Sequence, residues 1–169
     1  MSVALDIVSN RNGQECGEIK PSYLKSLRLI ELLHHLLLDV IKDEFKRVGR
    51  SEVNSVQALL LYNIGGAEVT AGELKSRGYY LGSNVSYNLK KLVEAGYVHH
   101  ERSQTDRRSV RIRLTDKGRE ICDIIDSLYR RQTHSLGEAG GVHGEDLAEL
   151  NQTLARLERF WSDQIRYRL

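Results

Sequence analysis

The chain has 169 residues, a mass of 19.3 kDa, 40% hydrophobic residues and 28% charged residues, which suits one globular domain or one domain with appended helices. No apolar run approaches the roughly 18 residues of a membrane span. The first ten residues lack the basic segment that precedes the apolar stretch of a signal peptide. Two cysteines, Cys16 and Cys122, are too few for a disulfide scaffold. We therefore expect a protein of the reducing cytoplasm without membrane contact.

The net charge of +2 is distributed unevenly along the chain. Between Thr70 and Arg119 there are 11 Lys and Arg residues against five Asp and Glu residues, whereas the rest of the chain carries a net charge of −4. A clustered basic region is the electrostatic pattern expected of a nucleic-acid-binding face, although a solvated surface has the same composition.

The N-terminal third predicts an arm followed by a long helix. Residues 1–19 are mainly polar and we expect a flexible arm, while Pro21 suits the first turn of a helix. Apolar residues then recur at helical spacing as far as Val48, and Gly49 follows as a helix end. This helix, over residues 20–50, is apolar on more than one side and therefore needs cover from more than one neighbour.

Three short helices are predicted next. Capping boxes begin the first two at Asn54 and Thr70, and the second ends near Gly78. Ser83 or Asn84 begins the third, which closes at a glycine, residue 96.

A hairpin follows these helices. Residues 97–102 predict a strand, and in residues 110–114 apolar side chains alternate perfectly with arginines, so the apolar ones face inward. The intervening residues 103–109 form a polar tip.

The C-terminal part predicts two helices. Thr115 and Asp116 begin one, glycines between Gly137 and Gly144 interrupt it, and the last helix begins at about Asp146. In that last helix, large apolar residues recur every three or four positions, close to a heptad seam. The members of this seam are Leu147, Leu150, Leu154, Leu157 and Trp161.

Two short helices joined by a tight turn and followed by a hairpin predict a winged helix-turn-helix, whose second helix enters the major groove of DNA. On that helix polar residues at i, i+3, i+4 and i+7 share one face, although such a face is often only hydrated. Asn and Lys side chains bond to base edges or phosphates, and Arg is attracted to the narrow minor groove. We assign groove reading to Asn84, Ser86, Tyr87, Asn88 and Lys91. Phosphate contacts are assigned to Ser83 and Lys90, wing contacts to Arg107 and Arg108, an Arg-orienting role to Asp106, and backbone support to Arg111 and Arg113.

The same region resembles the MarR family of bacterial transcriptional regulators over residues 54–120. The resemblance rests on VTAGEL over residues 69–74, SNVSYNLKKLVEAGYV over 83–98, DRRS over 106–109 and LTDKG over 114–118. Within the family the chain is most similar to the alphaproteobacterial regulators of cell-wall L,D-transpeptidase genes, on the 83–97 run and the overall length.

The resemblance implies a mainly α fold with an α+β wing. It also implies a homodimer, with residues 20–50 and 120–169 as dimerisation helices and residues 51–119 as the DNA-binding lobe. Two recognition helices about a two-fold axis read a pseudo-palindrome whose half-sites lie about 34 Å apart. The family further implies that a small aromatic or phenolic ligand loosens DNA binding; its pocket is not assigned by the sequence.

Two alternatives stay open at this point. One is a winged-helix module that binds an acidic protein instead of DNA. The other is a regulator that senses oxidants through Cys16, which precedes the first long helix; Cys122 is interpreted as a packing residue. No motif of an enzyme, a cofactor site or a metal site is found, and adjacent histidines such as His99 and His100 point to opposite faces of a strand.

Overall fold

The structure is a computed structural model. It describes the backbone of residues 3–70, 73–74, 82–102 and 110–167, and the side chains of residues 19–70, 73–74, 86–101 and 111–167. The helices are α1 Val3–Arg47, α2 Ser55–Ile64, α3 Gly82–Glu94, α4 Asp116–Ala139 and α5 Gly144–Tyr167. The strands are β1 Val69–Thr70, β2 Val98–Arg102 and β3 Val110–Leu114. The mainly helical fold class with a small sheet is confirmed.

The sheet has the order β1-β3-β2, and both strand pairs are antiparallel. The predicted alternation in β3 is confirmed, because Ile112 and Leu114 are buried while Arg111 and Arg113 are exposed. Strand β1 was not predicted: it has only two residues and no alternation of its own, and it exists because it pairs with β3.

Helix α1 begins earlier than the sequence predicts. It starts at Val3 and passes through Pro21, so the expected arm over residues 1–19 is wrong from residue 3 onward, as is the expected helix start at Pro21. A proline inside a helix removes its own backbone donor and crowds one carbonyl, and here the helical bonds on either side of it continue. The side chains of residues 3–18, with Cys16 among them, lie outside the described part of the chain.

Both predicted capping boxes are confirmed. The Asn54 side chain accepts a hydrogen bond from the Gln57 N–H at 2.9 Å, and the Gln57 side chain accepts one from the Asn54 N–H at 3.2 Å. The Thr70 hydroxyl and the Glu73 carboxylate make the equivalent pair at 3.1 and 2.6 Å. The predicted end of this second short helix, near Gly78, lies outside the described residues.

Helices α1 and α3 end in the same way. Gly49 and Gly96, at the predicted helix ends, have φ angles of 72° and 75°, in the left-handed region that favours glycine. The next residues, Arg50 and Tyr97, each donate their backbone N–H to the carbonyl five residues earlier, at 2.9 Å. Both ends are therefore Schellman motifs, which bring the chain back across the end of the helix.

Helix α4 begins at the predicted cap. The Thr115 hydroxyl accepts from the N–H of Gly118 at 3.1 Å. The predicted break at Gly137 is wrong by a few residues, because Gly137 keeps a helical backbone and α4 ends at Ala139. A single glycine lowers helix stability without ending the helix.

Helix α5 starts slightly earlier than the expected Asp146, at Gly144. The cause is a cap that the sequence did not reveal: the Asp146 carboxylate accepts the N–H of His143 at 2.8 Å.

The chain divides into two compact units, Met1–Cys122 and Asp123–Leu169, with the boundary inside α4. In the first unit, α2 packs against α1, α3 and β3, and α3 packs against β2. Its fully buried side chains include Ile41, Phe45, Leu60, Leu61, Ile64, Leu74, Leu92, Ile112 and Ile121. The functions predicted for residues 20–50, 51–119 and 120–169 stay predictions, because packing alone does not show what a segment does.

Candidate nucleic-acid interface

Helix α3 has one buried side and one polar exposed side. Leu89 and Leu92 are buried, and the helix packs through this side on α2 and β2. Tyr87 projects from the opposite side and is 63% exposed. Most of the predicted DNA-contacting residues whose side chains are described lie at this surface: Ser86, Tyr87, Lys90 and Lys91.

The other three α3 residues of the predicted set are Asn88, Ser83 and Asn84. Asn88 is half-buried and takes part in interactions within the protein. The side chains of Ser83 and Asn84 lie outside the described residues. The structure therefore brings Tyr87 and Lys91 onto one exposed face, and places Asn88 at its margin.

The start of α4 holds the end of α3. The Thr115 hydroxyl donates to the Gly96 carbonyl at 2.8 Å, and the Lys117 ammonium donates to the Ala95 carbonyl at 2.9 Å. Gly118 is buried, and a Cβ at this position would lie 2.2 Å from the Tyr97 carbonyl oxygen. We call Thr115, Lys117 and Gly118 the α4 clamp. It satisfies carbonyls at the end of α3 and places a cation at the negative end of its dipole.

Glu94 lies beside both lysines of the exposed face of α3. Its carboxylate oxygens are 3.9 Å from the Lys90 Nζ and 3.4 Å from the Lys91 Nζ. All three side chains are exposed, so these ion pairs are weak and readily exchanged. A DNA phosphate approaching α3 would compete with Glu94 for the two ammonium groups.

The arginines of β3 also have carboxylate partners. Arg111 is 2.7 Å from Glu68, and Arg113 is 3.4 Å from Glu101. Arg111 and Arg113 lie on the outer face of the sheet, where about half of each side chain is exposed. The wing tip, with Asp106, Arg107 and Arg108, lies outside the described residues.

Known proteins share the fold of this region. Residues 53–118 match the family described as winged helix DNA-binding domain. Among solved structures, FabT of Streptococcus pneumoniae in complex with DNA has a TM-score of 0.65 at 21% identity, covering 83% of this chain and 98% of FabT. A cysteine-to-serine variant of MarR from E. coli in complex with operator DNA has a TM-score of 0.62 at 22% identity, covering 77% of this chain and 91% of MarR.

A closer relative extends the match beyond the central lobe. The chain is 36% identical over 146 residues to the exopolysaccharide II synthesis transcriptional activator ExpG of Rhizobium meliloti (strain 1021), covering 86% of this chain and 75% of ExpG. The chain belongs to the MarR family of transcriptional regulators. The predicted winged helix-turn-helix fold and DNA-binding class are thereby confirmed. The closer similarity to regulators of L,D-transpeptidase genes stays a prediction.

This MarR-family protein carries large apolar faces outside its winged helix. In α5, all of whose residues the structure describes, none is buried. The predicted seam lies along this helix: Leu147, Leu150 and Leu154 are exposed, and Leu157 and Trp161 are half-buried. Helix α1, in the other unit, has its own exposed apolar residues, namely Ile19, Leu24, Leu29, Leu32, Leu33, Leu36 and Val40.

Three further features of the described residues concern a cysteine, metal binding and membrane-spanning helices. Cys122 is half-buried in α4 and takes part in an interaction within the protein. No group of three His, Cys, Asp or Glu side chains in the described ranges is placed to hold a metal ion. In the same ranges, no helix is both long enough and apolar enough to cross a membrane.

Sequence reasoning missed Tyr97. This residue is 2% exposed, and residues of the α4 clamp contact both its carbonyl and its ring. The Thr115 N–H donates to the Tyr97 carbonyl at 3.1 Å, and the Lys117 ammonium lies 4.2 Å from the centroid of the Tyr97 ring. An apolar or aromatic residue directly after a helix-ending glycine is a known packing position of the Schellman motif. Applied at Gly96, that rule would have identified Tyr97.

Proposed function

We propose that this MarR-family regulator binds a pseudo-palindromic operator as a homodimer, with α3 of each subunit in a major groove. The observation that carries this proposal is the exposed polar face of α3, on a helix held by a buried apolar side and by the α4 clamp. A helix that reads DNA needs such a combination, because base contacts require a side-chain array held in a fixed position.

The polar residues on and beside the exposed face of α3 have proposed roles. Tyr87, Ser86 and Lys91 contact base edges, and Asn88 at the margin of the face bonds to an adenine or a neighbouring phosphate. Lys90 contacts phosphate. Ser83, Asn84 and the wing residues Asp106, Arg107 and Arg108 keep the roles assigned from the sequence, with Arg111 and Arg113 beside the DNA backbone.

The exposed apolar faces support the dimer. Soluble monomers rarely expose long contiguous apolar surfaces, whereas an interface between subunits covers them. Two-fold symmetry then relates the two recognition helices, and the operator mirrors that symmetry. We propose α1 and the seam of α5 as the surfaces that meet the second subunit.

Binding to selected DNA tests the DNA-binding part. Duplexes are selected by the wild-type protein from a random-sequence pool, and affinity is then measured by fluorescence anisotropy against a scrambled duplex of equal composition. We expect inverted repeats to be enriched and the selected duplex to bind at least about a thousandfold more tightly than scrambled DNA. Equal affinity for both duplexes would favour the winged-helix protein-interaction module.

Light scattering tests the dimer. Leu150→Asp places a carboxylate in the seam of α5 and should give a monomer, because an unpaired charge in an apolar interface is strongly unfavourable. Asn151→Asp adds the same charge at the next position, about 100° around the helix, and is the matched control. A Leu150→Asp variant that remains as dimeric as Asn151→Asp would contradict the proposed interface.

Two finer features of the proposal concern regulation. The similarity to ExpG makes activation the direction to test first, with a reporter driven by a promoter that carries the selected operator. A small aromatic or phenolic effector would have to bind the DNA-free state more tightly, because equal affinity for both states shifts nothing. Salicylate titrated by calorimetry with and without operator should then show weaker binding in the presence of DNA.

Redox sensing by Cys16 predicts instead that peroxide weakens operator binding in the wild type and not in Cys16→Ser.

A further inference from the structure

Glu52 joins the ends of two helices. One oxygen of its carboxylate, Oε1, accepts a hydrogen bond from the Arg50 Nε at 2.6 Å and from the Tyr97 hydroxyl at 3.3 Å. Arg50 and Tyr97 are the residues that directly follow the terminal glycines of α1 and α3. The two Schellman motifs are thus connected to each other through a single carboxylate oxygen.

The connection reaches a third helix. The guanidinium of Arg50 also donates to the Glu120 carboxylate, in the first turns of α4, at 3.1 Å. Arg50 in turn is fixed to α1, because its backbone N–H bonds to the carbonyl of the buried Phe45. We call Arg50, Glu52, Tyr97 and Glu120 the helix-end junction; all four lie in the first compact unit.

Each polar group of the junction has a physical reason to stay in place. The Tyr97 ring is buried, and a buried phenol needs an acceptor for its hydroxyl. Glu52 provides that acceptor, and its charge strengthens the bond. One N–H group of the Arg50 guanidinium donates to Glu52, and another donates to Glu120. The planar guanidinium therefore fixes the positions of the two carboxylates relative to each other.

We propose that the helix-end junction sets the position of the recognition helix α3 relative to α1, and so determines which half-site spacing the dimer accepts. This inference rests on the proposed dimeric, DNA-binding function. In that dimer α1 belongs to the interface, so its direction is fixed by the second subunit. The distance between the two copies of α3 then depends on the link between α1 and α3 within each subunit. Tyr97 acts as a positioning residue: it contacts no DNA itself.

The test measures spacing preference. The probes are the selected operator, the same operator with one base pair added between its half-sites, and a duplex with a single half-site. An added base pair moves the half-sites apart by about 3.4 Å and rotates one relative to the other. The variants are Tyr97→Phe, which removes one hydroxyl from a buried ring, Glu52→Ala and the double variant. Tyr167→Phe makes the same chemical change at an exposed position of α5 and serves as the control.

We expect Tyr97→Phe to bind the selected operator about three- to tenfold more weakly, the range for loss of one hydrogen bond. Its affinity for the lengthened operator and for the single half-site should stay unchanged, so that spacing preference is relaxed. The double variant should match Glu52→Ala alone, because both substitutions remove the same bond.

A purely structural role would lower affinity for all three duplexes together, or lower the melting temperature without changing the spacing preference. Either result overturns the inference, and if Tyr97→Phe fails to fold, Glu52→Ala decides the question by the same readout. Failure of the proposed function would be seen separately, in the wild type. If the wild type bound the selected and the scrambled duplex equally, the proposed DNA-binding function would be wrong, and the role proposed for the junction would be wrong with it.

Discussion

Gly118 offers the sharpest test of how helix α3 is held. An alanine Cβ at this position would lie 2.2 Å from the Tyr97 carbonyl oxygen and 3.3 Å from the Leu114 Cδ2. Ordinary contact begins at 3.4 Å, so the carbonyl must retreat by about 1 Å. It would then lengthen its 3.1 Å hydrogen bond from the Thr115 N–H.

The magnitude follows from two opposing effects. Replacing a helical glycine by alanine normally stabilises a protein by up to about 1 kcal/mol. Overpacking against a fixed backbone costs about 1–3 kcal/mol, and a weakened backbone hydrogen bond costs about 1 kcal/mol more. We therefore expect Gly118→Ala to lower the free energy of unfolding by roughly 1–3 kcal/mol.

Gly137 is the matched control, because it lies in the same helix and an alanine Cβ there would meet no neighbouring heavy atom within 4 Å. Gly137→Ala should raise the free energy of unfolding, by up to about 1 kcal/mol. Urea unfolding of both variants is followed at one fixed protein concentration, since the stability of a dimer depends on concentration. If Gly118→Ala is as stable as Gly137→Ala, the close approach of α4 to Tyr97 is refuted.

Three further predictions address charge and contact. Tyr87→Ala should lower the magnitude of the binding free energy by about 1–3 kcal/mol on the selected operator and by little on scrambled DNA. Lys90→Ala should weaken binding to both DNAs and lower the slope of log affinity against log salt concentration by about one. Equal losses on both DNAs for Tyr87→Ala would argue against base reading. Glu94→Gln removes the carboxylate that competes with DNA for the lysines of α3 and should tighten binding about two- to fivefold at low salt, an effect that a salt series should abolish. The Arg50 guanidinium lowers the pKa of Glu52 below its ordinary value of 4.5, so the ionised carboxylate stabilises the fold above pH 4.5, and this stabilisation is lost as the pH falls through the lowered pKa. The stability of Glu52→Gln should therefore lack this part of its pH dependence during acid unfolding. Acid unfolding identical to that of the wild type would contradict the prediction.

Local signals in the sequence predicted the elements of the winged helix well. A capping box needs two residue types at a fixed spacing, and the one at Asn54 formed as expected. The alternation in β3 needs only a face buried and a face exposed, and Ile112 and Arg111 obey it. Such signals work because their cause lies within a few residues of one another.

Features with distant causes were missed. Strand β1 has two residues and depends on β3, some forty residues later in the chain. Glu52 and Tyr97 carry no local sign that they share a hydrogen bond, because they are separated by 45 residues. The expected helix start at Pro21 was wrong for a different reason: a local signal, the proline, was interpreted as a helix start, although a long helix tolerates the loss of one donor.

The residues of the LTDKG segment and the exposed residues of α3 are physically different sets. Thr115, Lys117 and Gly118 belong to the LTDKG segment, and each contacts the end of α3 instead of projecting from its exposed face. Tyr87 projects from that face and makes no contribution to the clamp. We therefore expect substitution at Tyr87 to change the operator preference without changing the fold, and substitution in the clamp to displace α3. Solved structures at 21–22% identity keep the same fold, and we propose that the operator of this protein is read by the exposed side chains of α3.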